Sequence, residues 1–307
     1  MFRFTVIIAA MLFLTLLSAG NAQQSPAMQL ILLGTGYPFP NAERAGPSSA
    51  VIVGKRIFVV DAGRGVSMRL AAMGNPWRFI DAVFITHLHS DHIDGLPDLF
   101  HNTWEFGSGT PFKLFGPEGT RGVSDGILQF YGPDIHIRRD LTEKLPPEGA
   151  KIAVQEIREG VVYEIPGEVK VTAFLVDHPP VVPSFGYRFD AGNNSIVITG
   201  DTRPSANVIR NSADADILVH EAYAGASPSS GADAKGRWTV QTYHTSAREA
   251  GEVAQKAKVK MLVLTHLMPA NATEQEFLDE AKKGFSGKIM VGRDLMRIEL
   301  PLQAGKQ

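Results

Sequence analysis

The chain has 307 residues, of which 44% are hydrophobic and 20% charged, and it contains no cysteine. A formal charge of -2 excludes the global basic field that gives non-specific nucleic-acid binding, and the absence of thiols excludes disulfides and lipid attachment at cysteine. The folded chain must therefore be held by its core.

Residues 1–22 are set aside first. Arg3 is followed by the apolar run TVIIAAMLFLTLL and then by the small residues Ser18 to Ala22, the layout of a secretory signal peptide with cleavage near Ala22. The run falls short of the roughly 18 to 20 residues a bilayer span needs, so no stable membrane anchor is expected. Without Arg3 the charge becomes -3, and the mature chain is expected in the periplasm or outside the cell. No Pro/Ser linker divides the remainder, which reads as one hydrolase-sized domain over 28–304.

Strand patterns follow in order: MQLILL from Met28, AVIV, RIFVVD, DAVFIT, FKLFG, KIAVQEI, VKVTAFLV, SIVITG, DILVHE, KMLVLT and KIMVG, several of them apolar enough for burial on both faces. Two helices are explicit. One spans Ala247 to Lys258, where Ser246 and Glu249 form a capping box and Ala250, Val253, Ala254 and Ala257 form one apolar stripe. The other runs from about Glu274 to Lys283, with Thr273 and Glu276 as its box and Gly284 as its stop. A strand-rich first half and a strand-rich second half predict two sheets flanked by helices.

Four strand patterns deliver an ionisable residue at their C-terminal ends: His87, Asp201, Glu221 and His266. Sites in open α/β sheets gather at those ends, and merely solvated strand ends would carry a mixture of Lys, Ser and Asn instead. The densest stretch is FITHLHSDHIDG, residues 84–95. His87 and His89 lie two apart, so in an extended segment both imidazoles project to one side and can grip one ion; Asp91 and His92 follow in the turn and can face a second. Imidazole and carboxylate without cysteine suit Zn, Mn or Fe.

The stretch His87-Leu-His-Ser-Asp-His92 resembles the H-x-H-x-D-H signature of the metallo-β-lactamase superfamily. LLGTGYPFPNAERAGPSSAVIV (32–53), VVDAGRGVSMRL (59–70), GDT (200–202), HEA (220–222), YHTS (243–246) and LTH (264–266) are similar to its ribonuclease Z and arylsulfatase-like branch, so the resemblance covers nearly all of the mature chain. It implies a four-layer αββα sandwich, two mixed sheets with outer helices, holding two divalent metal ions, usually zinc. Carried over, the first ion would take His87, His89 and His178, the second Asp91, His92 and His266, and Asp201 would bridge them. His178 by itself, a single histidine before Pro-Pro, reads equally well as a loop residue. Asp61 would support the histidine loop by hydrogen bonding. His244 would donate the proton to the leaving oxygen, oriented by Glu221, and Asp91 would orient or deprotonate the water that becomes the attacking hydroxide between the two ions.

The other histidines separate from this set. His101 and His136 lack ligand-type neighbours at useful spacing and read as structural or exposed. Strand alternation sends His220 and Glu221 to opposite faces, so His220 should miss the site if Glu221 enters it. A dinucleotide loop at GTG (34–36) is rejected, because Tyr-Pro-Phe-Pro follows where a helix N-terminus would have to bind phosphate.

Ester hydrolysis is the implied reaction. A phosphodiester ranks first, since an alkoxide leaving group needs the acid that His244 and Glu221 would supply; an aryl sulfate ranks second, a lactone or a non-catalytic binding role lower. The 22 residues between His178 and Asp201 are consumed by two strands and the turn AGNN, leaving no room for a tRNA-gripping arm. A small or aryl ester substrate and no tRNA are therefore expected, a homodimer is left open, and AGASPSSGADAKGRW (224–238) reads as a mobile lid or a solvated loop.

Overall fold

The computed structural model describes residues 28–107, 109–224 and 240–300; the stretch read as a signal peptide and, except for Ala224, the stretch read as a lid or solvated loop lie outside these. Strands are numbered along the chain. The first sheet holds β1 (Met28–Gly34), β2 (Ser48–Val53), β3 (Arg56–Val60), β4 (Ile80–Phe84), β5 (Phe112–Gly116), β6 (Ile152–Glu156) and β14 (Arg297–Leu300), in the order β14-β1-β2-β3-β4-β5-β6. The second holds β7 (Gly160–Ile165), β8 (Val169–Leu175), β9 (Phe185–Ala191), β10 (Asn194–Ile198), β11 (Ile217–Tyr223), β12 (Met261–Met268) and β13 (Lys288–Val291), in the order β13-β12-β11-β10-β9-β8-β7. Both are mixed. β14-β1-β2-β3 and β7-β8-β9-β10 pair antiparallel, while β3-β4-β5-β6 and β10-β11-β12-β13 pair parallel.

Helices α1 (Val66–Ala71), α2 (Ser90–Ile93), α3 (Leu96–Phe106) and α4 (Thr120–His136) belong to the first half, and α5 (Ala206–Asn211), α6 (Val240–Tyr243), α7 (Ala247–Ala257) and α8 (Glu274–Gly284) to the second. Alternation along buried strands builds the four layers. Ala82 and Phe84 of β4 point between the sheets, whereas Val83 and the following Ile85 point under Leu96, Leu99, Phe100 and Trp104 of α3. Likewise Ile217 and Val219 of β11 face the other sheet, while Leu218 and Ala222 face Ala250, Val253 and Ala254 of α7. The inter-sheet layer is fixed by an aromatic group around Phe84, whose ring lies 5.0 to 6.4 Å from those of Phe58, Phe115, Tyr163, Tyr187 and Phe189. The buried Tyr187 hydroxyl donates to the Ile85 carbonyl at 2.7 Å, joining the second sheet to the segment that carries the histidines. No helix among the described residues is long and apolar enough to cross a membrane.

Both capping boxes are present as read, at Ser246/Glu249 and Thr273/Glu276. Gly284, expected as a stop, is the last residue of α8. Its hydrogen-for-side-chain economy serves packing: a Cβ there would lie 2.4 Å from the Arg248 carbonyl oxygen, and one on Gly251 would lie 2.4 Å from that of Ala281. The two glycines let α7 and α8 touch backbone to backbone. Two edge strands, β7 and β14, carry too little buried apolar pattern to be read from sequence. The 17-residue α4 is equally silent, with Gly122, Gly126, Gly132 and Pro133 inside it; tertiary packing of Ile127 and Ile135 overrides that poor propensity.

Candidate metal centre

The C-terminal ends of the parallel strands converge on one point at the rim of the sandwich. The segment after β4 brings His87 and His89, and α2 brings Asp91 and His92. The loop after β8 brings His178, the turn after β10 Asp201, β11 Glu221, the junction of α6 and α7 His244, and β12 His266.

His87 Nε2 lies 3.0 Å from His89 Nδ1, and His178 Nε2 lies 3.3 Å from the same His89 atom. Their second nitrogens explain why lone pairs point inward. His87 Nδ1–H reaches the Thr86 hydroxyl at 3.0 Å and His178 Nδ1–H donates to the Tyr243 carbonyl at 2.9 Å, which leaves each Nε2 as an acceptor. Burial pushes His87, His89 and His178 below the ordinary histidine pKa, His87 furthest, so these rings are neutral. A cation among these nitrogens would take the lone pairs of all three rings at once. Four tetrahedral ligands at 2.0–2.1 Å stand about 3.3 Å apart, close to the spacings found here.

The second set consists of Asp91, His92 and His266. Asp91 Oδ2 lies 3.3 Å from His266 Nε2 and 3.6 Å from His92 Nε2. Asp201 joins the sets: its Oδ2 is 3.3 Å from His92 Nε2, 3.4 Å from His266 Nε2, 3.8 Å from His87 Nε2 and 3.9 Å from His178 Nε2. Burial opposes charge on Asp201, yet His266, His92 and His244 outweigh it and hold the carboxyl well below its usual range. His92 Nε2 and Asp201 Oδ1 are buried without any hydrogen-bond partner among the described residues. Unpartnered buried polar atoms are costly, and divalent ions would satisfy them. The donor set, imidazole and carboxylate with no sulfur, fits two divalent ions.

Asp61 performs the support that the resemblance implied. Its Oδ1 accepts the Thr86 amide at 2.8 Å, the Thr86 hydroxyl donates to the same carboxylate, and His92 Nδ1 approaches Oδ2 at 2.8 Å. Burial works against charge on His92, but Asp201 and Asp61 prevail and raise its pKa well above the ordinary value.

His244 Nδ1 lies 2.6 Å from Glu221 Oε2, and Glu221 Oε1 accepts the Thr202 amide at 2.7 Å. Burial, reinforced by the neighbouring Asp201 carboxylate, pushes Glu221 well above the usual carboxylate range. Asp201, Glu221, His244 and His266 also present ligand atoms within 4.8 Å of one another, so the acid pair abuts the second set directly.

Two placements differ from the strand-end reading. Glu221 lies inside β11, which continues to Tyr223, and His266 lies inside β12, which continues to Met268. Plain alternation would send His266 with Leu262 and Leu264 into the helix layer. A β-bulge prevents this: Glu221 pairs with Thr265 and Ala222 with Leu267, leaving His266 extra, at φ 48. The bulge turns its ring back into the site. Asp61, at φ 59, is the other left-handed residue of the centre.

His220 points away, as alternation required, with its Nδ1 on the Glu221 carbonyl at 2.8 Å. His101 pairs with Asp134 at 2.6 Å and exposed His136 with Asp140 at 2.9 Å, both remote from the cluster. Gly34 and Gly36 serve close packing against the 44–46 backbone, where a Cβ on Gly34 would lie 1.9 Å from the Gly46 carbonyl oxygen. Thr86, the Thr202 amide and the Tyr243 carbonyl were invisible to sequence reasoning, since each acts only through the histidine or glutamate it meets in space.

Residues 56–267 match the family model described as a beta-lactamase superfamily domain. The chain belongs to the metallo-β-lactamase superfamily. Within it, the chain is 40% identical to a ribonuclease Z of Mycobacterium sp. (strain KMS) over 281 residues, covering 89% of this chain and 96% of that protein. It is 38% identical to a ribonuclease Z of Mycobacterium bovis, covering 89% and 98%. Among solved structures, the metallo-β-lactamase fold protein YhfI of Bacillus subtilis superposes with a TM-score of 0.69 at 23% identity, covering 89% of this chain and 99% of that one. The short form of human tRNase Z superposes with a TM-score of 0.64 at 22% identity, covering 89% and 99%. The metallo-β-lactamase sandwich read from sequence is thus borne out, and the chain is a ribonuclease Z-like hydrolase of this superfamily.

Proposed function

We propose that the protein is an exported phosphodiesterase that uses two divalent zinc ions at the cluster of His87, His89, His178, Asp201, Asp91, His92 and His266. The observation that carries the reading is the single Asp201 oxygen within 3.3 to 3.9 Å of four imidazole nitrogens drawn from two separate sets. When bound, such ions lower the pKa of water towards about 7 and offset charge developing on phosphoryl oxygens.

The chain's own groups supply the rest. Asp91 orients the attacking water and takes its proton, being a buried carboxylate that His266 and His92 keep ionised against the cost of burial. His244 gives a proton to the departing oxygen from Nε2, because its Nδ1 is engaged by Glu221 at 2.6 Å. The Thr202 amide fixes the other Glu221 oxygen, so the acid is aimed before substrate arrives. Burial lowers the His244 pKa, which makes its proton easier to surrender.

Precursor tRNA is placed outside the substrate range on grounds of export and net negative charge. The want of an arm weighs less: β9, β10 and the turn between them do consume the span from His178 to Asp201, but the mycobacterial ribonucleases Z match over 96% and 98% of their own lengths, so their chains hold no large extra insertion either. The test is a side-by-side assay of the metal-loaded protein on precursor tRNA, bis-nitrophenyl phosphate, cyclic nucleotides and nitrophenyl sulfate. Diester hydrolysis without tRNA cleavage is the expected outcome. Site-specific release of a tRNA 3′ trailer overturns the substrate reading, and a preference for nitrophenyl sulfate transfers it to sulfate esters.

A further inference from the structure

The residue immediately before the proposed acid is Tyr243, the last residue of α6, and its ring stands at the junction of the first metal set and the acid pair. The ring centroid is 4.6 Å from that of His244 and 5.5 Å from that of His178, while the two imidazoles are 5.1 Å apart. One aromatic side chain therefore touches both the ring that meets the departing oxygen and a ring of the set that would hold the phosphoryl group. Tyr243 is only partly buried. Its structural contribution to the site runs through the backbone: the Tyr243 carbonyl accepts from His178 Nδ1 at 2.9 Å. Any side chain at 243 retains that bond.

Geometry then limits what can sit at His244. Its Nδ1 is committed to Glu221, so a leaving oxygen must approach Nε2, the other nitrogen of a ring whose centroid lies 4.6 Å from that of Tyr243. A flat leaving group brought there lies against an aromatic ring, where offset or edge-on contact is favourable. A methyl or other small alkyl group leaves the ring uncovered.

We propose that Tyr243 is a specificity-determining residue that stacks on a planar leaving group, so that the preferred substrates are esters whose departing alcohol carries an aryl ring or a nucleobase. The inference rests on the hydrolase reading above and names the leaving-group class that this site selects.

The experiment compares wild type, Tyr243→Ala and Tyr243→Phe in the zinc-loaded full chain. Binding of phenylphosphonate and methylphosphonate is measured by calorimetry, and metal content is measured by elemental analysis. Tyr243→Ala is expected to weaken phenylphosphonate about tenfold, within the roughly 5- to 150-fold that one base–aromatic stack carries. Methylphosphonate affinity and zinc content should stay as in wild type, and Tyr243→Phe should restore the phenyl preference. Equal weakening of both phosphonates, or none of either, overturns the proposal. Wild-type protein that binds phenylphosphonate more tightly than methylphosphonate but cleaves no diester would instead sink the phosphodiesterase reading and leave Tyr243 its role.

Discussion

Replacing Asp61 by asparagine should loosen one metal position and spare the other. Asparagine is the same size and tolerates the left-handed backbone found here, φ 59, so the fold has no reason to object. The Thr86 amide, 2.8 Å from Oδ1, needs an acceptor, which fixes the asparagine oxygen there and puts the amide NH2 where Oδ2 was. That NH2 faces His92 Nδ1 at 2.8 Å, donor against donor. His92 can relieve the clash only by moving its proton to Nε2, the atom that stands 3.3 Å from Asp201 Oδ2 and would bind the ion. The first set is spared, because the Thr86 hydroxyl that meets His87 Nδ1 can still donate to the oxygen at the Oδ1 position, 3.0 Å away, and His178 is oriented by the Tyr243 carbonyl. Loss of a ligand-orienting partner costs 10- to 100-fold in metal affinity, or about 1.4 to 2.7 kcal/mol. Competition against chelators of graded affinity, followed by crystals of the zinc-loaded variant, reads both the size and the place of the loss. Two ions held at wild-type affinity, or a loss confined to the His87, His89 and His178 position, would refute the reasoning.

The active protein should contain close to two equivalents of transition metal; elemental analysis finding one would remove the bridging role of Asp201. His87→Ala should abolish both metal binding and activity while leaving soluble protein, checked by the same analysis and by circular dichroism. His244→Ala should slow alkyl diesters by about 10² to 10⁴ and nitrophenyl esters far less, since nitrophenolate departs without a proton; equal losses would assign His244 to positioning. Buried His220 supplies a pH test, its pKa being lowered by burial to about 4 from the ordinary 6.5. A lowered folded-state pKa means that the unfolded chain takes up the proton first, so stability is lost as pH falls from about 6.5 towards 4, by about 3 kcal/mol in all. Urea unfolding of metal-free wild type and His220→Gln isolates that component from the other histidines: the stability gap should close as pH falls, and parallel profiles would contradict it.

What the sequence determined by itself was the content of the centre and the layers that carry it. Strands buried on both faces are continuous apolar runs, capping boxes are local, and H-x-H-x-D-H places four ligands within six positions, so each is legible without knowing what it packs against. Alternation alone also separated His220 from Glu221. Tertiary structure decided whatever depends on a partner distant in the chain. His178 is an ordinary histidine before Pro-Pro until its Nδ1 finds the Tyr243 carbonyl 65 residues away. His266 would sit on the wrong face of β12 but for a bulge visible only in its register against β11. The glycines of α4 argued against a helix that burial of Ile127 and Ile135 nevertheless secures, and Gly284, the terminus that local rules saw, proved also to be a contact between helices. The physical reason is common to all of these: propensity and periodicity act over one or two turns of chain, whereas a metal centre is made of groups that meet only after both sheets have closed on each other.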